Sequence, residues 1–225
     1  MARFGPFFAV DCAPEMSGGG WAPVRELAEP AVLVSRARAV TTALAAGLPG
    51  DRQVPVRVAA SIAQLGLCAR LSAVALGAAV EGLPVPVRDR LRYLNKLGGP
   101  YPVGLLPSAS ERNQRWPEAL LELVSPIAEA TIVTFALSPQ VVWGNVASGL
   151  YGAARMIGTA APPPKESGGA VTAEELTDRA LGHGVLRGTM TVADRDGRRR
   201  RSCCLIYRLT GSTSAVCGDC VLQRR

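Results

Sequence analysis

The sequence predicts a mainly α-helical protein: a helical main domain followed by a small carboxy-terminal segment of β-hairpin and loop. Three observations support this fold class. Hydrophobic residues make up 48% of the 225 residues and aromatic residues only 5%, so the core must consist mainly of Ala, Val and Leu, which pack best as closely spaced helices. Long apolar runs end at Gly and Pro, as helices do. Near the carboxy terminus these runs shorten and cysteines accumulate.

Apolar runs bounded by helix breakers predict the first helices. Residues 31–48 form one run, which ends in a segment rich in Gly and Pro. Residues 55–80 form a second run, which begins with a proline suited to the first helical turn and stops before Gly82. A short amphipathic helix at 87–97 is expected next, followed by a loop at 101–107 because three turn-forming residues interrupt it.

Two further helical regions are predicted before residue 160. Residues 118–124 and 127–137 are apolar and flank Pro126, which either kinks one helix or separates two. Ser138 is a good helix cap and is followed by a proline, so a long helix is expected to begin there and to include residues 141–157.

The chain is expected to divide into a helical domain at residues 1–160, a linker at 161–170 and a carboxy-terminal segment at 171–225. The linker reads APPPKESGGA. In the segment beyond it, a threonine and a glutamate with capping-box spacing predict a helix at 173–181. Two strands, at 189–193 and 202–209, are predicted around an Asp-Gly turn.

The net charge of +7 is carried almost wholly by arginine, because all but two of the 25 basic residues are arginine. Such a field favours an anionic partner but does not identify it, and peripheral contact with a membrane surface stays open. No nucleic acid is expected, because no aromatic residues interleave the arginine run at 198–201. No transmembrane segment and no export signal are expected either, so a reducing cytoplasm is predicted.

Four of the six cysteines lie near the carboxy terminus, as an adjacent pair, Cys203 and Cys204, and a CxxC pair, Cys217 and Cys220. In a reducing compartment such a cluster is more often a metal site than a set of disulfides. Adjacent residues of a strand point to opposite faces, so one zinc ion suits this pair less well than two irons do. Spacing alone leaves iron–sulfur, zinc and a thiol switch open.

Three stretches of the chain also resemble a known family. RRSCCLIYR, followed by CGDC, resembles the carboxy-terminal signature of FhuF-type ferric-siderophore reductases, and LSPQVVWGNVASGL and AASIAQLGLCARL resemble two helices of the same family. The resemblance implies a 2Fe-2S cluster bound through Cys203, Cys204, Cys217 and Cys220. It also implies one-electron reduction of siderophore-bound Fe(III). The spacer between the two cysteine pairs is longer here than is usual in the family.

Five other residues are candidates for contact with a substrate or an electron donor. Arg199 and Arg200 precede the first cysteine and Arg208 follows it, so their charge could raise the potential of a cluster or attract an anionic partner; a solvated turn is the plainer interpretation. Trp143 and Asn145, on the predicted long helix, either line a substrate cleft or belong to the core.

The electron source is expected to be another protein. The chain has no phosphate-binding loop, and its glycines miss the dinucleotide-binding spacing. A ferredoxin or a flavin reductase is the expected donor. Two other classes of function stay open: an interaction module held together by zinc, and an iron–sulfur redox sensor without a chelate substrate.

Overall fold

The computed structural model of the protein describes residues 1–12, 19–49, 52–96, 100–107, 115–160, 171–192, 197–210 and 216–223. Helices dominate these ranges, which confirms the mainly α fold class. The predicted linker at 161–170 lies outside the described residues. The α-helices of the described ranges are α1 (Pro30–Ala45), α2 (Val56–Val80), α3 (Glu118–Phe135), α4 (Pro139–Ala160), α5 (Ala173–Leu181) and α6 (Tyr207–Thr210).

Helix α2 lies at the centre of the fold and packs against α1, α3 and α4. Most of its side chains are buried, because its alanines and glycines let neighbouring helices approach from several sides. The approach of α4 is especially close: a Cβ added to Gly149 would lie 2.7 Å from the Cα of Ala69. A helix enclosed in this way must be apolar around most of its circumference, which explains the long apolar run in the sequence.

The length and composition of α2 would also allow it to cross a membrane, and it is the one helix of the described ranges for which this is true. Its most apolar window is 72% buried inside the protein. Burial of this kind is expected for a central core helix.

Local signals account for several helix ends. Pro126 lies inside the single helix α3, so of the two alternatives for the run at 118–137 the structure has one helix. Helix α4 begins after Ser138, whose carbonyl accepts bonds from the two amides at the helix start, Val141 and Val142. At α5 the predicted capping box is formed, with the Thr172 hydroxyl and the Glu175 carboxylate each accepting from the other residue's backbone amide.

Two predictions between α2 and α3 were wrong. The predicted helix at 87–97 is a short 3₁₀ turn followed by strand β3 (Leu91–Leu94), and the predicted loop at 101–107 contains strand β4 (Val103–Leu105). With β1 (Asp11–Cys12) and β2 (Trp21–Pro23) they form a four-stranded sheet in the order β1-β4-β3-β2. In β3 buried and half-buried residues alternate, a strand pattern too short to stand out in the sequence.

The carboxy-terminal hairpin is formed only in part. Met190 and Arg200 pair as an antiparallel bridge, supported by bonds from the Thr191 amide to the Arg199 carbonyl and from the Arg201 amide to the Thr189 carbonyl. The predicted second strand at 202–209 is wrong, because the chain turns away after the bridge and ends this stretch in α6. The departure from strand geometry occurs at the adjacent cysteines.

Candidate iron–sulfur centre

The adjacent cysteines lie in irregular backbone between the Met190–Arg200 bridge and α6. Leu205, the next residue, has a left-handed φ of 72°, which turns the chain sharply. Cys203 and Cys204 are themselves not in a strand, so their side chains need not point to opposite faces. The bend that two neighbouring ligands require is therefore present.

The four thiols are arranged as two pairs, each joining one residue of the adjacent pair to one of the CxxC pair. The Sγ atoms of Cys204 and Cys217 lie 3.6 Å apart. Two thiolates on one tetrahedral metal ion lie about 3.8 Å apart when metal–sulfur bonds are about 2.3 Å long. The thiols of Cys203 and Cys220 also interact electrostatically.

The described residues include no group of three or more His, Cys, Asp or Glu side chains placed to hold a single ion. A mononuclear zinc site draws its four ligands to one point. The close pair of Cys204 and Cys217, with the other two thiols in the same region, suits a centre of two metal ions. The donor set of thiols alone is also the usual one for 2Fe-2S clusters.

Backbone amides surround the sulfur atoms. The Leu205 amide donates to the Cys203 sulfur at 3.3 Å, and the Leu222 amide donates to the Cys220 sulfur at 3.4 Å. Hydrogen bonds of this kind stabilise negative charge on sulfur and are one of the determinants of the reduction potential of an iron–sulfur cluster. The loop therefore provides donors for both cysteine motifs.

Arg200 is the most deeply buried of the charged side chains near the cysteines, with a relative exposure of 1%. Its Nε lies 3.2 Å from Oδ2 of Asp219, and its Nη1 donates to Oδ1 of Asn145 at 3.1 Å. The backbone amide of Arg200 also donates to the Asp219 carbonyl at 2.9 Å. The CxxC loop and Arg200 are thereby held together by an ion pair between side chains and by a hydrogen bond between backbone groups.

Two nitrogens of Arg200, Nε and Nη2, are buried without a hydrogen-bond acceptor among the described residues. Oδ2 of Asp219 likewise accepts no hydrogen bond of normal geometry, although it forms the ion pair with Nε. The guanidinium also lies within electrostatic reach of Cys204 and Cys217. Unpaired buried donors beside thiols are what a site for an anionic sulfur cluster would contain.

The thiols have unequal proton affinities. A hydrogen bond from the Cys217 thiol lowers the pKa of Cys204 well below its usual value, burial opposes this, and Arg200 reinforces it. The same bond raises the pKa of Cys217. Burial is the main factor that raises the pKa of Cys203. The pair of Cys204 and Cys217 is therefore prepared to carry negative charge on sulfur.

Asn145 connects this site to the core of the helical region. From α4, its amide nitrogen donates to the carbonyl and hydroxyl oxygens of Ser61, each at 3.0 Å, and to Oε1 of Gln64 at 2.9 Å. Its oxygen accepts the bond from Arg200. Sequence reasoning missed Ser61 and Gln64; the available signal was the presence of polar residues within a largely apolar helix.

The other candidate residues lie in different settings. Trp143 is buried in the main hydrophobic core with a relative exposure of 8%. Arg199 is half-buried and donates to the Gln223 carbonyl at 2.9 Å, and Arg208 is exposed on α6. Of the five candidates, the structure brings Asn145 and Arg200 into direct contact with each other beside the thiols.

The two remaining cysteines lie outside the cluster region. Cys12 is exposed on strand β1. Cys68 is buried in α2, where burial raises the pKa of its thiol to about 12 and Gln64 donates to its sulfur at 3.3 Å. A thiol in that state is a core side chain rather than a metal ligand.

Residues 200–222 match the family model described as the FhuF 2Fe-2S C-terminal domain. Over these residues the chain is similar to FhuF-type 2Fe-2S domains. The match includes all four paired cysteines, Asp219 and the buried Arg200, and it does not extend to the helices before them. No curated protein matches the chain.

The residues present fit the cofactor of a FhuF-type domain. Two thiol pairs are available for two irons, backbone amides point at two of the sulfurs, and a buried guanidinium has unpaired donors beside them. The cofactor of the protein is a 2Fe-2S cluster, and Cys203, Cys204, Cys217 and Cys220 are the residues that could hold it. Such a cluster supplies transfer of single electrons.

Proposed function

We propose that this protein reduces siderophore-bound Fe(III) to Fe(II) in the cytoplasm, with Cys203, Cys204, Cys217 and Cys220 as the cluster ligands. The observation that carries the proposal is the FhuF 2Fe-2S match at residues 200–222, in a segment that comes close to an open groove of the helical region at Arg155. The reaction needs one electron from a reduced donor protein and forms no covalent bond. Fe(II) is the less highly charged ion and binds more weakly to hard oxygen chelators, so iron is released.

The groove lies between α2 and α4 and has a volume of about 710 Å³. Its size falls within the usual range for small-molecule sites, about 300–1,000 Å³. Apolar and small residues form most of its walls, including Phe4, Phe7, Leu65 and Met156. Walls of this kind suit the hydrocarbon arms of a chelator, whereas Trp143, buried in the core, does not line the groove.

Arg155 joins the groove to the cluster region. It lines the groove, and its Nη1 lies 4.0 Å from the position that a Cβ on Gly218 would occupy. Gly218 lies within the CxxC loop, next to Cys217. A chelate in the groove with an acidic group on Arg155 would therefore be held beside the cysteine loop, where an electron can reach its iron.

The electron donor is proposed to be a protein with an acidic surface, such as a ferredoxin or a flavin reductase. Arg201 and Arg208 are exposed in the carboxy-terminal segment and present positive charge near the cysteines. Charges of this kind accelerate encounter with an oppositely charged partner. A cytoplasmic location agrees with cysteines that must remain reduced to bind metal.

Groove occupancy can be tested with a matched pair of glycine variants on α4. Gly152 lines the groove and a Cβ added there meets nothing within 4 Å, so Gly152→Leu starts a side chain in open space at the groove wall. Gly158 is exposed, does not line the groove and has equally open surroundings, so Gly158→Leu is the control.

Steady-state reduction of a ferric hydroxamate chelate is measured anaerobically by trapping Fe(II), with the visible spectrum of the cluster recorded in parallel. Gly152→Leu is expected to raise KM at least tenfold with an unchanged spectrum, and Gly158→Leu to behave as the unsubstituted protein. Equal kinetics of the two variants would exclude this groove. Absence of chelate reduction by the unsubstituted holoprotein with a competent donor would favour an iron–sulfur sensor.

A further inference from the structure

One arginine of the run at 198–201 differs from the others in its surroundings. Arg198 forms an ion pair with Asp178 at 2.5 Å, Arg199 donates to the Gln223 carbonyl, and Arg201 is exposed. Arg200 alone of the four is fully buried. A buried charge acts on its neighbours with much less screening by solvent and salt than an exposed charge does.

The guanidinium of Arg200 is fixed from two sides. Asn145 on α4 accepts its Nη1 bond at 3.1 Å, and Asn145 is itself held by three bonds to Ser61 and Gln64 on α2. On the other side, Asp219 in the CxxC loop lies 3.2 Å from Nε. The orientation of the charge is therefore set jointly by the helical core and by the cysteine loop.

The fixed guanidinium still has unused donors. Its Nη2 has no hydrogen-bond acceptor among the described residues, its Nε forms only the ion pair with Asp219, and the groups on which it acts electrostatically include Cys204 and Cys217. Leaving a buried donor unpaired costs stability. Anionic sulfur at this position would remove that cost.

We propose that Arg200 is a positioning residue of the 2Fe-2S site: held by Asn145 and Asp219, its buried guanidinium faces the sulfurs of Cys204 and Cys217 and raises the reduction potential of the cluster. The physical reason is electrostatic. Reduction adds one negative charge to an already anionic centre, and a fixed positive charge with free N–H donors stabilises the reduced form more than the oxidised form.

The inference concerns the cluster and does not depend on the proposed reduction of a chelate. Potentials are measured on the holoprotein without any chelate, by titration with mediator dyes. Failure of the inference would appear in these potentials, whereas failure of the proposed function would appear as absence of Fe(III) reduction at unchanged potentials. The two outcomes are distinguishable.

The test compares Arg200→Gln, Arg200→Lys and the neighbouring control Arg199→Gln. Arg200→Gln is expected to lower the equilibrium constant for reduction about tenfold, which is about 59 mV for one electron. Arg200→Lys, which retains the charge, should keep the constant within about threefold of the unsubstituted protein, and so should Arg199→Gln, whose side chain bonds elsewhere. Unchanged potential in iron-replete Arg200→Gln, or an equal fall in Arg199→Gln, would overturn the proposal.

A second variant, expected to shift the reduction potential in the opposite direction, tests the proposal if Arg200→Gln does not retain iron. Asp219→Asn removes the negative charge that partly neutralises Arg200 and leaves the guanidinium in place. Its potential is expected to rise. A potential equal to or below that of the unsubstituted protein would overturn the proposal, because it would show that buried charge at this site does not act on the cluster.

Discussion

Gly144 on α4 faces Ser202, the residue immediately before the adjacent cysteines, so closely that a Cβ on residue 144 would overlap the Ser202 hydroxyl. At Gly144 the segment that contains Ser202, Cys203 and Cys204 therefore packs directly against α4. Asn145, the next residue of α4, holds Arg200 from the same helix. Two neighbouring residues of α4 thus position the segment that carries the cysteines.

Gly144→Ala is expected to push the cysteine segment away from α4 and to lower the free energy of unfolding by about 1–3 kcal/mol, the usual cost of overpacking. Loss of iron on dilution should be faster in the same variant. Gly158→Ala is the matched control, since a Cβ on Gly158 meets nothing within 4 Å. Thermal unfolding and iron release measure both effects; equal results for the two alanines would contradict the contact.

The proposed ligands predict the outcome of single cysteine substitutions. Replacing any of the four paired cysteines with serine should reduce bound iron and labile sulfide and bleach the visible spectrum, because a 2Fe-2S cluster uses four thiolates. Cys12→Ser and Cys68→Ser should retain the cluster, since both residues lie elsewhere. Full iron and sulfide content in Cys204→Ser would show that the adjacent pair does not provide two ligands.

Helices were predictable and the short strands were not, for a physical reason. The ends of α1 and α2 are marked by nearby Gly and Pro, which act locally and are visible in the sequence. Strand β3 has four residues, and its partners come from distant parts of the chain, so its short alternation indicates little until the sheet is assembled. The helix predicted at 87–97 rested on a local amphipathic pattern, which the pairing of strands in the sheet overrides.

The candidate site, like the fold, could be predicted from the sequence only in part. The four cysteines could be recognised in the sequence because Cys203 and Cys204 are adjacent and Cys217 and Cys220 form a CxxC motif. The special role of Arg200 could not, because four consecutive arginines look alike and only the tertiary contacts with Asn145 and Asp219 separate one from the others. Gln64 and Ser61 were missed because their function depends on the crossing of α2 and α4.

Asn145→Ala should lower the free energy of unfolding by more than the loss of so small a side chain would suggest. The substitution leaves Nη1 of Arg200 and the oxygens of Ser61 and Gln64 without their partner in a buried site, at a cost of about 1–3 kcal/mol per unsatisfied group. Ser72→Ala is the control, because the buried Ser72 hydroxyl has no hydrogen-bond partner among the described residues and its loss should cost little. Chemical denaturation compares the two; equal stability would contradict the network.

Electron entry from an acidic donor should depend on exposed arginines. Arg208→Glu and Arg201→Glu are expected to slow reduction of the protein by a ferredoxin severalfold at low salt, with the effect fading as ionic strength rises. Arg25→Glu, an exposed arginine of the turn Val24–Ala28, is the control outside the carboxy-terminal segment. Stopped-flow rates measure this, and identical slopes against salt for all three variants would exclude docking at the carboxy-terminal segment.

Anaerobic single-turnover reduction tests the central claim most directly. Protein reduced by one electron, freed of excess reductant, is mixed with a ferric hydroxamate chelate while the visible spectrum and trapped Fe(II) are followed. We expect the oxidised spectrum to return as Fe(II) appears, with one Fe(II) formed for each reduced chain. A spectrum that stays reduced, with no Fe(II) formed, would contradict the assignment of this protein as a reductase of ferric chelates.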